Sequence, residues 1–310
     1  MDVVVCEFMD EAAVARLAAL HGTHYDTALG DRRDELKARL ASARALIVRN
    51  RTQVDADLLA AAPRLKVVGR LGVGLDNIDT AACAARGIDV IPATGANALA
   101  VAEYVIAAAM MLLRGAYFSS AAVAAGQWPR AALSAGREIA GTTLGIVGFG
   151  GIGRLVAERA QGLAMAVIGC DAQIPPEAPA WAAARVQPRS FEGVLADADV
   201  VTAHVPLTAA TRGLFDAARL GRMKAGAVLI NTSRGGVVDE AALAAALRSG
   251  ALGGAALDVY AQEPLPGGSP LAGCPNLILT PHIAGLTRES NVRVSTLIGE
   301  KVAAALAAAA

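Results

Sequence analysis

The sequence predicts an α/β protein built from two doubly wound parallel-sheet domains, and three observations carry that expectation. Short β-branched runs alternate with alanine-rich helical stretches along nearly the whole chain, the pattern of parallel strands joined by crossover helices. A looser segment containing Gly126, Pro129 and Gly136 separates a first such series from a second. At 310 residues the chain is too long for one comfortable core and suits two domains of ordinary size.

The first series reads as strand 3–8, helix 12–20, strand 45–49, helix 56–62 and strand 66–70. Gly87 then ends a helix, 89–91 gives a further strand, and Pro92 with Gly95 punctuates the chain before a long helix from 97 to about 114. The second series opens with strand 143–147 and helix 154–160, followed by strands at 166–170, 199–203, 227–231, 255–258 and 277–279. A last helix, 288–310, has no strand left to cover in the second sheet and is expected to return to the first domain. The domains so defined are 1–95 completed by 286–310, and 96–285.

Composition removes several function classes. Lys plus Arg and Asp plus Glu stand at 28 each, so no bulk electrostatic attraction draws the chain to nucleic acid or an anionic membrane. The mean hydropathy of +0.45 comes largely from alanine. The strongest candidate span, 98–113, is only 16 residues long and carries Glu103, which reads as a buried helix at a domain or subunit interface. Cys6, Cys83, Cys170 and Cys274 are far apart, with no CxxC pair and no histidine at ligand spacing, so no metal is expected. Their isolation, with an N-terminus that starts directly on an apolar strand, predicts a cytoplasmic location.

GFGGIG, from Gly148 to Gly153, follows the apolar run 144–147 and precedes a helix, the strand-turn-helix context that gives the pattern its meaning. Gly148 would allow the tight turn, Gly150 the close approach of backbone to a pyrophosphate, and Gly153 the helix-sheet packing. An ordinary glycine turn is the plain alternative. Asp171 ends the next strand, where a carboxylate can accept hydrogen bonds from ribose hydroxyls or simply cap the strand. Ala172 and Gln173 follow it, so no arginine is ready for a 2′-phosphate, and NAD is expected rather than NADP.

Three later residues supply what hydride transfer to a carbonyl also requires. Arg234 follows the strand 227–230 at the carboxyl edge of the cofactor sheet, where its planar fork can bind a carboxylate or polarise a carbonyl. His282, among apolar and small neighbours, is expected to be poorly solvated and able to exchange a proton with an alkoxide. Glu263, 19 residues upstream, is the candidate partner that would fix its tautomer. His204 also ends a strand and is assigned to the cofactor wall, whereas His21 and His24 flank a Gly-Thr turn and read as solvated or structural.

Together these segments resemble the D-2-hydroxyacid dehydrogenase family over nearly the whole chain. The run from Arg70 to Asp79 resembles its substrate-domain loop, and GFGGIG with Asp171, the NTSRG of 231–235, DVYAQEP of 258–264 and PHIAG of 281–285 complete the set. The resemblance implies a Rossmann NAD-binding domain and a flavodoxin-like, discontinuous substrate domain. It implies His282 as acid/base, Glu263 as its partner and Arg234 as the carbonyl-orienting residue. It extends the cofactor contacts to Gly151, Ile152, Pro206, Thr232, Ser233 and Asp258, and gives the amides of Val73 and Gly74 to the substrate carboxylate. It also implies a homodimer, with the 97–114 helix at the contact, and domain closure over the hydride path.

Within the family, Val48 to Thr52 and Lys66 to Arg70 look like the phosphoglycerate dehydrogenase branch, without its long regulatory extension. Arg49 and Arg70 end neighbouring strands, and Arg130 could reach a neighbouring subunit's site. Three arginines suit a small-molecule 2-hydroxy or 2-keto acid with a second anion at C3, such as 3-sulfolactate or 3-phosphoglycerate, and the missing extension favours sulfolactate. Surface ion pairing is the alternative use of these arginines. An uncharged 2-hydroxy acid, glyoxylate or hydroxypyruvate, formate or phosphite, and an NAD-responsive corepressor-like binding role are the competing functional readings.

Overall fold

The computed structural model describes residues 1–308, so the expected helical end at 309–310 lies outside the described residues. The chain divides into one unit formed by Met1–Asn97 together with the chain from Leu286, and a second formed by Ala98–Gly285. The crossings fall at 97/98 and 285/286, against 95/96 and 285/286 in the sequence reading.

The first unit holds five parallel strands: β1 Val3–Val5, β2 Thr23–Tyr25, β3 Ala45–Val48, β4 Val67–Arg70 and β5 Asp89–Pro92, in the order β2-β1-β3-β4-β5. This is the flavodoxin-like order. Alternate strand residues feed two cores, as the two-residue period requires. Val4, Leu46, Val48 and Val68 pack with Leu36, Leu58 and Leu59 on one face. Val3, Val5, Ile47 and Val67 pack on the other, against Leu17 of helix Glu11–Leu20 and Val294, Ile298, Val302 and Leu306 of helix Arg288–Ala308. That last helix lies so close to β4 that a Cβ on Gly69 would stand 2.8 Å from methyls of Ile298 and Val302.

The second unit has seven parallel strands: β6 Thr143–Val147, β7 Ala166–Cys170, β8 Gln187–Pro188, β9 Val200–Ala203, β10 Val228–Asn231, β11 Gly254–Leu257 and β12 Leu277–Leu279. Their order, β12-β11-β10-β9-β6-β7-β8, reverses between β6 and β9, which sets a crevice at the carboxyl end of β6. Helix Ala98–Arg114 buries Val101, Val105 and Leu112 against Leu144, Ile146 and Ile230 of this sheet, while Glu103 and Met110 stay exposed. No single helix among the described residues is long and apolar enough to cross a membrane.

Three elements were not expected. β2, with its half-buried Thr23, His24 and Tyr25, is an edge strand where a Gly-Thr turn was predicted, and His24 therefore sits inside a strand. β8 is a two-residue edge strand. Helix Arg33–Leu40 is mostly charged and buries only Leu36 and Leu40. The segment expected to be loose, 115–141, contains the short helical turns Ala116–Ser119, Ser120–Ala124 and Arg130–Leu133.

Candidate active site

β6 ends at Val147, and the chain turns at once through Gly148, whose φ of +97° favours glycine. A Cβ on Gly148 would collide with the carbonyl oxygen of His204, and one on Gly153 with the carbonyl of Gly148, so both positions exist for close packing. Gly150 and Gly151 differ, because nothing among the described residues lies within 4 Å of where their Cβ atoms would be. Helix Gly151–Gly162 starts there without a side-chain cap, which leaves the amides of Gly151, Ile152 and Gly153 without carbonyl partners in the helix. Open space beside an uncapped helix N-terminus fits a dinucleotide pyrophosphate.

Asp171 follows β7 directly. One carboxylate oxygen accepts from the amide of Phe149 at 2.7 Å and the other from that of Gln173 at 2.8 Å. The side chain thus braces the glycine turn, while each oxygen keeps an acceptor site for a ribose hydroxyl. At the end of β9, the His204 Nε2 lies 3.0 Å from Thr202 Oγ1. Burial pushes its pKa down to about 4, which keeps the ring neutral near pH 7, and Pro206 lies exposed just beyond it.

After β10 the Asn231 side chain shapes the next turn. Its Oδ1 accepts from Ser233 N at 3.0 Å and Ser233 Oγ at 2.7 Å, and its Nδ2 donates to Arg234 O at 3.0 Å. Thr232 Oγ1 is buried without a partner among the described residues, a polar atom that a bound dinucleotide could satisfy. Arg234 Nη1 donates to Ser233 O at 2.6 Å. A Cβ on Gly235 would overlap the carbonyl of Tyr260, so the Arg234 turn abuts the 258–264 segment.

That segment and the turn at 280–284 form one hydrogen-bonded assembly. Asp258, expected among the cofactor-binding residues, is buried beneath the turn: Oδ1 accepts from Thr280 Oγ1 at 2.6 Å and Ile283 N at 2.8 Å, and Oδ2 accepts from Ala284 N at 2.8 Å. Tyr260 donates to the carbonyls of Leu257 and Thr280, and Tyr104 Oη lies 2.7 Å from Thr280 Oγ1. His282 rides on this platform at φ +56°, with Nδ1 2.7 Å from Glu263 Oε2, while Glu263 Oε1 accepts from Tyr260 N at 3.1 Å. With Nδ1 committed to the carboxylate, Nε2 is the position that exchanges a proton. The imidazole is 47% exposed, contrary to the expected poor solvation, because the turn is braced from below and its neighbours Pro281 and Ile283 are themselves exposed.

In the first unit, Val48 of β3 and Arg70 of β4 are in register, so Arg49 and Arg70 emerge side by side. Arg49 crosses the ring of Phe8 at 5.6 Å and donates to Asn291 Oδ1 at 2.6 Å. Burial lowers its pKa, partly offset by Glu7, and no carboxylate pairs with its guanidinium among the described residues. Arg70 folds back over Gly72, where a Cβ would overlap its guanidinium, and Nη1 donates to Leu71 O at 3.0 Å. The amides of Val73 and Gly74 donate to no carbonyl among the described residues. Arg130 belongs to the other unit, exposed at the start of its helical turn. Among the described residues no acidic, histidine or cysteine cluster could hold a metal.

Sequence reasoning passed over Asn231, Thr280, Tyr104 and Glu7. The available signal was a polar residue at the point where an apolar strand stops, as at Asn231 and Thr280.

Known proteins complete the picture. The family described as D-isomer specific 2-hydroxyacid dehydrogenase, NAD binding domain, matches residues 106–284. The chain is 53% identical to the (S)-sulfolactate dehydrogenase of Chromohalobacter salexigens, with 98% of each chain covered. It is 38% identical to the D-3-phosphoglycerate dehydrogenase of Archaeoglobus fulgidus, spanning 97% of this chain but 56% of that relative. Among solved structures, the D-lactate dehydrogenase of Aquifex aeolicus, complexed with NAD and lactic acid, superposes with a TM-score of 0.82 at 26% identity, covering 99% of this chain and 96% of the other. The chain therefore belongs to the D-isomer specific 2-hydroxyacid dehydrogenase family, as an NAD-dependent oxidoreductase.

Proposed function

We propose that this dehydrogenase interconverts 3-sulfolactate and 3-sulfopyruvate, with His282 as acid/base, Glu263 as its orienting partner and Arg234 as the residue that aligns the substrate's C2 oxygen. The observation that carries the reaction is the 2.7 Å contact between His282 Nδ1 and Glu263, on the same sheet edge as Arg234. In the oxidative direction His282 Nε2 takes the C2 hydroxyl proton as the C2 hydrogen departs with its electron pair; in reverse it returns that proton to the alkoxide. Bound NAD supplies the hydride acceptor. Gly148, Gly150, Gly151, Ile152, Gly153, Asp171, His204, Pro206, Thr232 and Ser233 are the residues that would hold it, with Asp258 acting on the His282 turn.

The substrate class is supported by the near-full-length sulfolactate dehydrogenase relative and by the arginines. Arg49, Arg70 and the Val73 and Gly74 amides are proposed as the anion-binding groups, since a guanidinium matches both carboxylate and sulfonate geometry. The (S) descriptor suits a D-specific family. Sulfur at C3 raises the CH2 branch above the carboxylate in priority, so (S)-sulfolactate has the spatial arrangement of (R)-, that is D-, lactate. Measuring kcat/KM with NAD for 3-sulfolactate, D-3-phosphoglycerate, D-malate and D-lactate tests this reading. Sulfolactate is expected first, and a clear preference for lactate would overturn it; a preference for phosphoglycerate would keep the C3 anion and reassign the substrate.

A cytoplasmic homodimer is part of the same proposal. Met110, Tyr117, Phe118, Val123 and Trp128, the last 78% exposed, cluster within 110–128, an apolar density suited to a second copy. Arg130 beside them would then be presented to the partner. Sedimentation should give twice the chain mass, and Trp128→Glu should shift it to monomer.

A further inference from the structure

We propose that Glu7 is the positioning residue of the substrate-recognition loop, fixing the backbone that carries Arg49 and, through Asn77, tying it to the Val73–Gly74 loop. The inference rests on the reading that Arg49 binds the substrate's second anion.

Glu7 lies just past β1, which pairs with β3, so its side chain stands beneath the segment that leaves β3. It is 1% exposed. Four consecutive amides converge on it: Arg49 N and Thr52 N donate to Oε1, each at 3.0 Å, while Asn50 N at 3.3 Å and Arg51 N at 3.1 Å donate to Oε2. Successive amides wrapped around one anion form a nest, and here the anion belongs to the chain itself. Arg51 Nε stands 3.6 Å from the same carboxylate, but its guanidinium turns outward to Asp31 at 2.6 Å and Thr27 O at 2.9 Å. Arg49 is left facing Phe8 and Asn291. Burial alone would raise the Glu7 pKa, and the amides of Thr52, Arg49 and Arg51 outweigh it, holding the carboxyl below its ordinary range.

Asn77 closes the assembly from the other side. It is buried, its Nδ2 donates to Thr52 O at 2.7 Å and Arg49 O at 3.4 Å, and its own carbonyl accepts from Val54 N at 2.8 Å. Val73 and Gly74, whose amides donate to no carbonyl among the described residues, belong to the loop that carries Asn77. A carboxylate can accept all four amides; a glutamine oxygen can accept two, and its NH2 would face the others. The 49–52 backbone would then shift, and Arg49 with it.

The test uses the full-length enzyme with NAD and 3-sulfolactate. Glu7→Gln is expected to raise KM for 3-sulfolactate about tenfold, the size of one lost charge-assisted contact, with kcat within about threefold and NAD affinity unchanged. Arg49→Ala should raise KM to a similar degree, and the double variant should be no worse than the worse single one, because both act through one contact. Glu7→Asp, which keeps the charge, should recover most of the affinity. If Arg49→Ala leaves KM unchanged, the assigned role of Arg49 fails. If Arg49→Ala raises KM and Glu7→Gln does not, or if Glu7→Gln only lowers the apparent kcat in proportion to a loss of folded protein while KM stays unchanged, the positioning role fails. Should Glu7→Gln not fold, Asn77→Ala takes its place: a selective rise in KM supports the clamp, and an unchanged KM overturns it.

Discussion

His282 occupies left-handed backbone, a conformation that costs a side chain with a Cβ about 1–2 kcal/mol. The hydrogen bonds from Ile283 N and Ala284 N to Asp258, and from His282 N to Thr280 O at 3.0 Å, hold the turn there. Asparagine tolerates this conformation better than other non-glycine residues, so His282→Asn removes the proton carrier while leaving the turn intact. We expect kcat to fall by about 10²–10⁴, the usual value of a positioned acid/base, with thermal midpoint and NAD affinity little changed. Stopped-flow turnover with calorimetry checks this, and activity within tenfold of the parent would remove His282 from the chemistry. The pairing of Glu263 with His282 was legible because both follow strands of one sheet edge. The exposure of the imidazole was not, because flanking apolar residues predict burial only when the backbone turns them inward, and here it turns them out.

At the level of elements, legibility followed apolar runs rather than position in the sheet, since the edge strands β5 and β12 read as readily as the central ones. β1, β3, β6, β7, β9 and β10 read as strands because nearly every residue in them is apolar and packed from two sides. β2 and β8, on sheet edges, carry half-buried polar or proline residues and show no such run. Helix Arg33–Leu40 hides for the same reason, since two leucines one turn apart are its whole buried face. The glycine turn was legible as a motif, yet its three glycines do different work. Gly153→Ala would press a Cβ into the carbonyl of Gly148 and should destabilise the second unit by about 1–3 kcal/mol. Gly150→Ala meets nothing among the described residues and has an ordinary φ of −74°, so the thermal midpoint should hold while NAD affinity drops about tenfold, as a methyl enters the space a pyrophosphate would use. Equal loss of stability in both variants would contradict this division.

For the whole chain, the balanced net charge hides three titrations, at His204, Glu7 and Asp199, that contribute to its acid stability. His204 in the second unit has a folded pKa of about 4 against an ordinary 6.5, so the unfolded chain binds a proton first as pH falls. Its contribution to stability is intact above pH 6.5 and is lost between 6.5 and about 4, at a slope approaching about 1.4 kcal/mol per pH unit. Glu7 in the first unit and Asp199 in the second behave as depressed carboxylates. Burial opposes the charge of Asp199, but Lys224 at 2.7 Å, the Thr143 amide at 2.9 Å and Arg137 at 3.0 Å outweigh it. Their stability is present above the ordinary values of 4.5 and 3.8 and disappears as pH drops below them. The two windows are therefore distinct: a histidine window above about pH 4 and a carboxylate window below about 4.5. Calorimetric midpoints measured from pH 7 to 3 should fall in two stages. His204→Asn, whose amide can keep a hydrogen bond to Thr202, should flatten the first stage and leave the second, whereas identical slopes in parent and variant between pH 6.5 and 4 would show that the neutral, buried imidazole is not what limits stability in that range.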